Sequence, residues 1–278
     1  MDAREWLGLQ PTHNPMRWYL PVVPGICTGG GFLFGGCGLG AAISALEQTT
    51  GRDIVWATAQ YLSFARPGSI LDIDVTVAAA GKATTQARAV GHVGGTEILT
   101  VNAALGKREF PESGQWVAYP DVPAPDGCPK REPRWNVANE SILSRLDQRW
   151  ALTPAPVEGA YTSATRAHCA VWTRMPELLG VSAPALAVLG DYVPLGLGAT
   201  LDTEVTSNSL DNTLRVLKVV DTEWVLVDIF VEAVHNGFGH GHVYLWSEDR
   251  TLMATASQSA LVRVWTGEGS GYRPATPG

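Results

Sequence analysis

The sequence predicts an α+β fold of two similar halves, in each of which one apolar helix is enclosed by a long antiparallel sheet. Three observations lead to this prediction: two regions in which apolar and polar residues alternate, one almost uncharged helical segment in each region, and a proline-rich segment between them. The 278 residues suffice for two ordinary domains. We expect domains at 1–110 and 161–266, a connector at 111–160 and a loose tail at 267–278.

The first half has one uncharged segment and four strand candidates. Residues 29–46 are long enough to span a membrane, but seven of them are glycine. Glycine is a poor helix former and adds no apolar surface, so a tightly packed internal helix is predicted instead of a span. Period-two alternation predicts strands with one buried face. The candidates are residues 54–65, 71–77, 83–93 and 98–105.

The connector is defined by recurrent prolines, which central strands and helix interiors do not tolerate. Within it only residues 139–150 are expected to form a short helix, with Asn139 as its N-cap. In the second half, Ser182 and Pro184 predict the start of an apolar helix that continues through residues 185–193. The strand candidates of this half are residues 164–172, 212–217, 224–234, 241–246 and 252–265.

The two halves share one order of elements, which is an entry segment, a helix with few charges and then four strands. An internal duplication follows from this order. A single apolar helix wrapped by a long antiparallel sheet is the hot-dog architecture, and two copies in one chain form a double hot dog.

Composition and charge exclude several partners. Twenty Lys and Arg against 27 Asp and Glu give a net charge of −7 without a basic run, which argues against nucleic acid. The first residues lack a secretory signal, so we expect a cytoplasmic protein. Charged residues are only 17% of the chain, which favours a homo-oligomer that covers part of its surface. The four cysteines form no close pair, and no metal or cofactor is expected.

Short motifs in both halves resemble the type II acyl-CoA thioesterases, a family of double hot dogs that hydrolyse fatty acyl-CoA in lipid metabolism. The likeness spans most of the chain, and the shared order of the motifs carries more weight than any one of them. The matching segments are residues 34–36, 61–67 and the Gly81 turn in the first half, and 171–174, 185–194, 209–212 and 256–258 in the second.

The resemblance implies a catalytic Asp and Gln, which fall on Asp211 and Gln258. These residues would hold and activate the water that attacks the thioester. The family also uses a Ser or Thr, which should fall on the strand at 224–235, but the segment 228–235 contains neither. His235 or Glu232 could take that place.

The residues themselves support part of this site. Gln258 is the only polar side chain on the apolar face of residues 252–264, and a buried amide needs hydrogen-bond partners. Backbone N–H groups at the start of the first helix could stabilise an oxyanion, with help from the helix dipole. These donors would be Gly35, Gly36 and Cys37. The basic candidates for binding CoA are Arg66, Lys107 and Arg108.

We therefore predict an acyl-CoA thioesterase that binds the acyl chain in an apolar channel. Two alternatives stay open at this stage. One is a hot-dog hydratase or dehydratase of enoyl or hydroxyacyl thioesters, although its His-containing motifs do not occur here. The other is a non-catalytic acyl-CoA-binding module that kept the fold after losing the hydroxyl partner. A dinucleotide-binding fold and a serine hydrolase are disfavoured because strands and helices do not alternate.

Overall fold

The computed structural model describes residues 1–131, 140–154, 167–178 and 180–266. Its strands all pair antiparallel and join into one sheet. The strands are β1 (Gln10–Pro11), β2 (Arg17–Pro21), β3 (Ile54–Tyr61), β4 (Ile70–Ala80), β5 (Thr84–Val93), β6 (Thr96–Gly106), β7 (Asp147–Leu152), β8 (His168–Arg174), β9 (Val205–Ser209), β10 (Asp211–Val216), β11 (Val225–His235), β12 (Phe238–Ser247) and β13 (Leu252–Val264).

The sheet has the same strand order on both sides of its centre. From the centre outward the first half runs β3, β6, β5, β4 and β2, and the second half runs β10, β13, β12, β11 and β8. The halves join where β3 pairs with β10, and Thr58 lies opposite Thr213 there. The hydroxyls of these two threonines are 2.7 Å apart. This symmetric order confirms the antiparallel strands predicted for both halves.

The described helices are few. They are α1 (Ala3–Leu7), α2 (Gly35–Thr50), α3 (Ala183–Leu189) and α4 (Val193–Thr200). Of these helices, α2 and α4 pack against strands of this sheet. In the described part of the chain, no helix has both the length and the apolar character needed to cross a membrane. Most of α2 and all of α3 are buried, as the shortage of charged residues predicts.

Glycines allow α2 and α3 to pack closely. A Cβ on Gly36 would lie 2.9 Å from the backbone of Val188, and a Cβ on Gly40 would lie 2.8 Å from the carbonyl oxygen of Pro184. Since real Cβ atoms do not approach backbone so closely, the two helices can meet only if both positions are glycine. Helix α2 of the first half thus packs directly against helix α3 of the second half.

The predicted helix at residues 185–193 is wrong as one continuous element. It is two helices, because α3 ends before Gly190 and α4 begins at Val193. Gly190 is a weak helix former, and Pro194 has no N–H to donate to an earlier turn. The interruption places Asp191 in a buried bend between the two helices.

The predicted connector helix at residues 139–150 is also wrong. The structure has a single 3₁₀ turn at Ile142–Arg145, followed directly by strand β7. Asn139, its expected cap, lies outside the described residues, as do residues 164–166 of the predicted entry strand and the tail at 267–278.

Candidate active site

A cavity of about 1020 Å³ opens between the two halves of the sheet. Its walls are mostly apolar and come from the loop before α2, the start of β6, and the segment around β9. The principal apolar side chains are Phe32, Leu33, Phe34, Phe64, Ile98 and Leu99. Asp191, Ser209 and Tyr61 are among the polar side chains that also line it. The cavity therefore combines an apolar channel with a cluster of polar groups.

Asp191 is the centre of this polar cluster. Its side chain is buried in the bend between α3 and α4, with the residue only 4% exposed. Its Oδ2 accepts a hydrogen bond of 2.6 Å from the backbone N–H of Gly36. Because Gly36 lies in the first turn of α2, this N–H has no carbonyl partner within its own helix. The first half of the chain thus helps to hold a carboxylate of the second half.

Ser209 and Gln258 bind the other carboxylate oxygen. The Ser209 hydroxyl donates to Oδ1 of Asp191 at 3.3 Å, and the Gln258 amide nitrogen donates to the same oxygen. The amide nitrogen also donates to Ser209 Oγ at 2.6 Å. Strand pairing fixes this arrangement, since Ser209 on β9 lies opposite Ala260 on β13, two residues beyond Gln258.

Burial changes the acidity of Asp191. Removal from water disfavours its charged form and raises the pKa to about 6, although hydrogen bonds from Gln258, Gly36 and Ser209 act in the opposite direction. The amide oxygen Oε1 of Gln258 is buried and has no hydrogen-bond partner among the described residues. The cluster thus offers a carboxylate with a near-neutral pKa beside an acceptor that can bind a water proton.

The predicted catalytic Asp211 lies elsewhere. It begins β10, where its carboxylate accepts a hydrogen bond of 2.8 Å from the backbone N–H of Ser259. Among the described contacts, none joins Asp211 to the side chain of Gln258, and Asp191 holds that amide instead. Of the predicted Asp and Gln, the structure therefore places only Gln258 in the cluster.

The predicted third members also lie outside the cluster. His235 and Glu232 are exposed at the hairpin end of β11, and Glu232 contacts His242 at 2.9 Å. The hydroxyl that contacts Gln258 comes from Ser209 on β9 and not from the strand at 224–235, where the resemblance places it. Residues 205–209 have no clear alternation of apolar and polar residues, so the sequence pattern does not predict β9.

The predicted backbone donors are largely occupied. The N–H of Gly36 binds Asp191, and the N–H of Cys37 donates to the carbonyl of Phe34 at 3.0 Å. Neither is available to an oxyanion in this arrangement. Gly35 begins α2 and lines the cavity, so its N–H stays a predicted donor.

The three basic residues predicted to bind CoA lie in two different parts of the structure. Arg66 follows β3 and stands between Ala65 and Pro67, which both line the cavity. Lys107 and Arg108 follow the far end of β6, whereas Leu99 lines the cavity near its beginning. At about 3.3 Å per residue, roughly 26 Å of strand separate Leu99 from Lys107. Lys107 and Arg108 therefore do not line the cavity, and their role in binding CoA stays a prediction.

The remaining clusters do not have the composition of a metal centre. No group of three or more His, Cys, Asp and Glu side chains suited to a metal ion occurs in the described ranges. His240 contacts the hydroxyl of Ser259, and His242 contacts Glu232. All four cysteines are free and buried.

Comparison with known families decides the relationship. The family model for an acyl-CoA thioesterase N-terminal domain matches residues 23–106, and that for the C-terminal domain matches residues 111–262. This chain belongs to the acyl-CoA thioesterase family. The resemblance inferred from the sequence motifs is therefore confirmed.

Solved structures agree with this membership. A protein of Novosphingobium aromaticivorans described as a proposed thioesterase is 30% identical to the present chain. The TM-score is 0.82, and the match covers 92% of the present chain and 98% of that protein. A hot-dog protein of unknown function from Alicyclobacillus acidocaldarius is 18% identical, with a TM-score of 0.80 over 95% and 98%. The acyl-CoA thioesterase II TesB2 of Mycobacterium marinum is 20% identical, with a TM-score of 0.73 over 95% and 99%. The hot-dog fold follows from these likenesses, while the search of curated proteins gave no match.

Proposed function

We propose that this protein hydrolyses acyl-CoA to a free acid and CoA, with Asp191, Ser209 and Gln258 as its catalytic residues. The observation that carries the proposal is the contact between a buried carboxylate, a hydroxyl and an amide, of which the carboxylate and the hydroxyl line a mostly apolar cavity. An acid, an amide and a hydroxyl are also the side chains that the family resemblance implies. The position of the acid differs from the sequence prediction, because Asp191 replaces Asp211.

In the proposed reaction a water molecule lies between the Asp191 carboxylate and the Gln258 amide oxygen. Asp191 takes one proton of this water, while the oxygen of the water forms a bond to the thioester carbonyl carbon. The carbonyl π electrons move to oxygen and give a tetrahedral oxyanion. When this electron pair re-forms the carbonyl double bond, the C–S bond breaks and the carboxylic acid is released. The CoA thiolate then takes the proton from Asp191. No cofactor enters the proposed reaction.

The acidity of Asp191 suits this role. A general base works best when its pKa lies near the working pH, because it is then both deprotonated and able to hold a proton. With a pKa of about 6, Asp191 is mostly ionised at neutral pH and remains a stronger base than an ordinary aspartate. Ser209 donates to the carboxylate, so it keeps the base oriented while the proton moves.

We further propose that each half is one hot-dog unit and that the chain is an α+β double hot dog. The mirrored strand order and the one apolar helical region in each half support this. The units correspond to residues 1–110 and 161–266, joined by 111–160. The apolar walls of the cavity suit an acyl chain, and Arg66 is the basic residue placed best for CoA. An oligomer and a location in the cytoplasm stay predictions from the sequence.

The test is turnover of acyl-CoAs of several chain lengths, with free thiol and enoyl absorbance followed in parallel. Asp191→Asn should lower thiol release by about 10²–10⁴-fold, since it removes the general base. The matched variant Asp211→Asn should lower it by less than about tenfold, because this carboxylate binds a backbone N–H. Circular dichroism checks that both variants are folded.

Any other outcome of this turnover experiment would contradict part of the proposal. A larger loss in Asp211→Asn than in Asp191→Asn would return the catalytic role to Asp211. A change in enoyl absorbance without thiol release would favour the hydratase, although no His lines the described part of the cavity. Tight binding without turnover would favour the non-catalytic binding module. The main argument for that module is the absence of a hydroxyl from residues 228–235, and in this proposal Ser209 supplies the hydroxyl instead.

A further inference from the structure

Tyr61 is a buried phenol in the cavity that the proposed reaction does not yet use. It is the last residue of β3, and its backbone N–H donates to the carbonyl of Leu210 at 2.9 Å. Its ring lines the cavity, but its hydroxyl is buried and has no hydrogen-bond partner among the described residues. A buried hydroxyl without a partner is costly, so a ligand that accepts its proton would stabilise it.

The hydroxyl lies close to the proposed catalytic carboxylate. A Cβ built on Gly35 would be 2.8 Å from Oδ2 of Asp191 and 3.1 Å from Oη of Tyr61. Because these two distances are sides of one triangle, the two oxygen atoms are at most about 6 Å apart. Gly35, Tyr61 and Asp191 also line the same cavity, so one substrate carbonyl could approach both oxygen atoms.

The hydroxyl of Tyr61 keeps its proton and can donate it in a hydrogen bond. Burial raises the pKa of Tyr61 well above its usual range, and the negative charges of Asp191 and Asp211 act in the same direction. The side-chain amide of Asn212 lies close enough to the phenol to oppose this effect, but the two groups do not reach the geometry of a hydrogen bond. The phenol therefore keeps its proton at neutral pH.

We propose that the Tyr61 hydroxyl donates a hydrogen bond to the thioester carbonyl oxygen and stabilises the oxyanion formed by water attack. This inference rests on the proposed hydrolase function. The bond is weak in the ground state and strengthens as negative charge develops on the oxygen, which is how a donor accelerates a reaction. It also explains how the site can function although the N–H groups of Gly36 and Cys37 are occupied.

The kinetic test is Tyr61→Phe, which removes only the hydroxyl. Loss of one oxyanion donor lowers kcat by about 10²–10³-fold in other enzymes, and we expect a loss of that order with KM changed by less than about threefold. The melting temperature should be unchanged or higher, since an unsatisfied buried hydroxyl is removed. The matched control Tyr244→Phe, in an aromatic cluster on β12 away from the cavity, should keep its kcat.

A binding test separates this inference from the proposed function. Two inert analogues are used, one an acyl-CoA ketone in which CH₂ replaces sulfur, the other a CoA thioether that lacks the carbonyl. Tyr61→Phe should bind the ketone about 3–10-fold more weakly than the wild type and the thioether equally well. Equal loss for both analogues, or no loss for either, overturns the role of Tyr61. If the wild type has no thioesterase activity but the ketone is still discriminated, the carbonyl contact stands and the hydrolase function falls.

Discussion

The charge on Asp191 should destabilise the folded protein at neutral pH, and Asp191→Asn tests this. The substitution keeps nearly the same volume and removes only the ionisable group. In the fold, this carboxylate is surrounded by α2, α3 and β13 and is almost fully shielded from solvent. An ionised group in such a place is stable only because Gly36, Ser209 and Gln258 donate to it.

The size of the effect follows from the pKa of Asp191. Burial raises this pKa from 3.8 to about 6. Since the folded state holds the proton more tightly than the unfolded state, the stabilisation is complete below about pH 4 and is lost as the pH rises through 6. Two pKa units at about 1.4 kcal/mol each give a loss of about 3 kcal/mol in the free energy of unfolding.

The assay is urea unfolding of the wild type and Asp191→Asn at about pH 4 and about pH 8. The difference between their unfolding free energies should shift by about 2–3 kcal/mol in favour of the variant at the higher pH. Any fixed cost of the asparagine, and the titration of all other groups, cancels in this comparison. Equal differences at both pH values would refute the reasoning.

A control of opposite sign is available in Asp249. The Ser247 hydroxyl, followed by contacts with Thr251, lowers the pKa of this exposed carboxylate. Its charge therefore favours the fold above the unfolded-state pKa, and this contribution is lost as the pH falls. Relative to the wild type, Asp249→Asn should become less stable as the pH rises, in contrast to Asp191→Asn.

Two further predictions concern the hydroxyl of the site and the glycines of α2. Ser209→Ala removes the hydroxyl between Asp191 and Gln258 and should lower kcat about 10–10²-fold, whereas Ser209→Thr should retain most of it. Gly35→Ala places a methyl group 2.8 Å from the Asp191 carboxylate and should lower kcat more than tenfold. Gly40→Ala, which crowds a carbonyl of α3, should instead cost about 1–3 kcal/mol of unfolding free energy with little change in kcat. Steady-state kinetics and urea unfolding check all three positions, and a Gly40→Ala variant as stable as the wild type would contradict the close packing.

The sequence predicts the sheet well because the alternation of apolar and polar residues is repeated along most of its strands. The alternation in residues 71–77 and 252–264 predicts the buried faces of β4 and β13 directly. Strand β9 has no such signal, since every one of its residues is only partly buried. Its place depends on pairing with β13, a tertiary contact that a period-two pattern cannot indicate.

The site is predicted less well because its acid lies in a break that local propensity obscures. Gln258 is visible as the one polar residue on an apolar face, whereas Asp191 follows a run of apolar helix residues. Gly190 before it and Pro194 after it were the available signals of an interrupted helix. Ser209 lies in the segment 209–212 that resembles the family, but the resemblance places the hydroxyl on the strand at 224–235.

The symmetry of the sheet explains why one chain should contain one such site. With the Thr58 and Thr213 pair as the centre, strand pairing makes Asn102 on β6 equivalent to Ser257 on β13. The residue equivalent to Gln258 is therefore Ala103, which has no group to bind a carboxylate or water. Because Gly36 of the first half also donates to Asp191 of the second, the first half completes the site instead of forming another. Each half alone should consequently be inactive, since neither contains both the carboxylate and the α2 N–H that holds it.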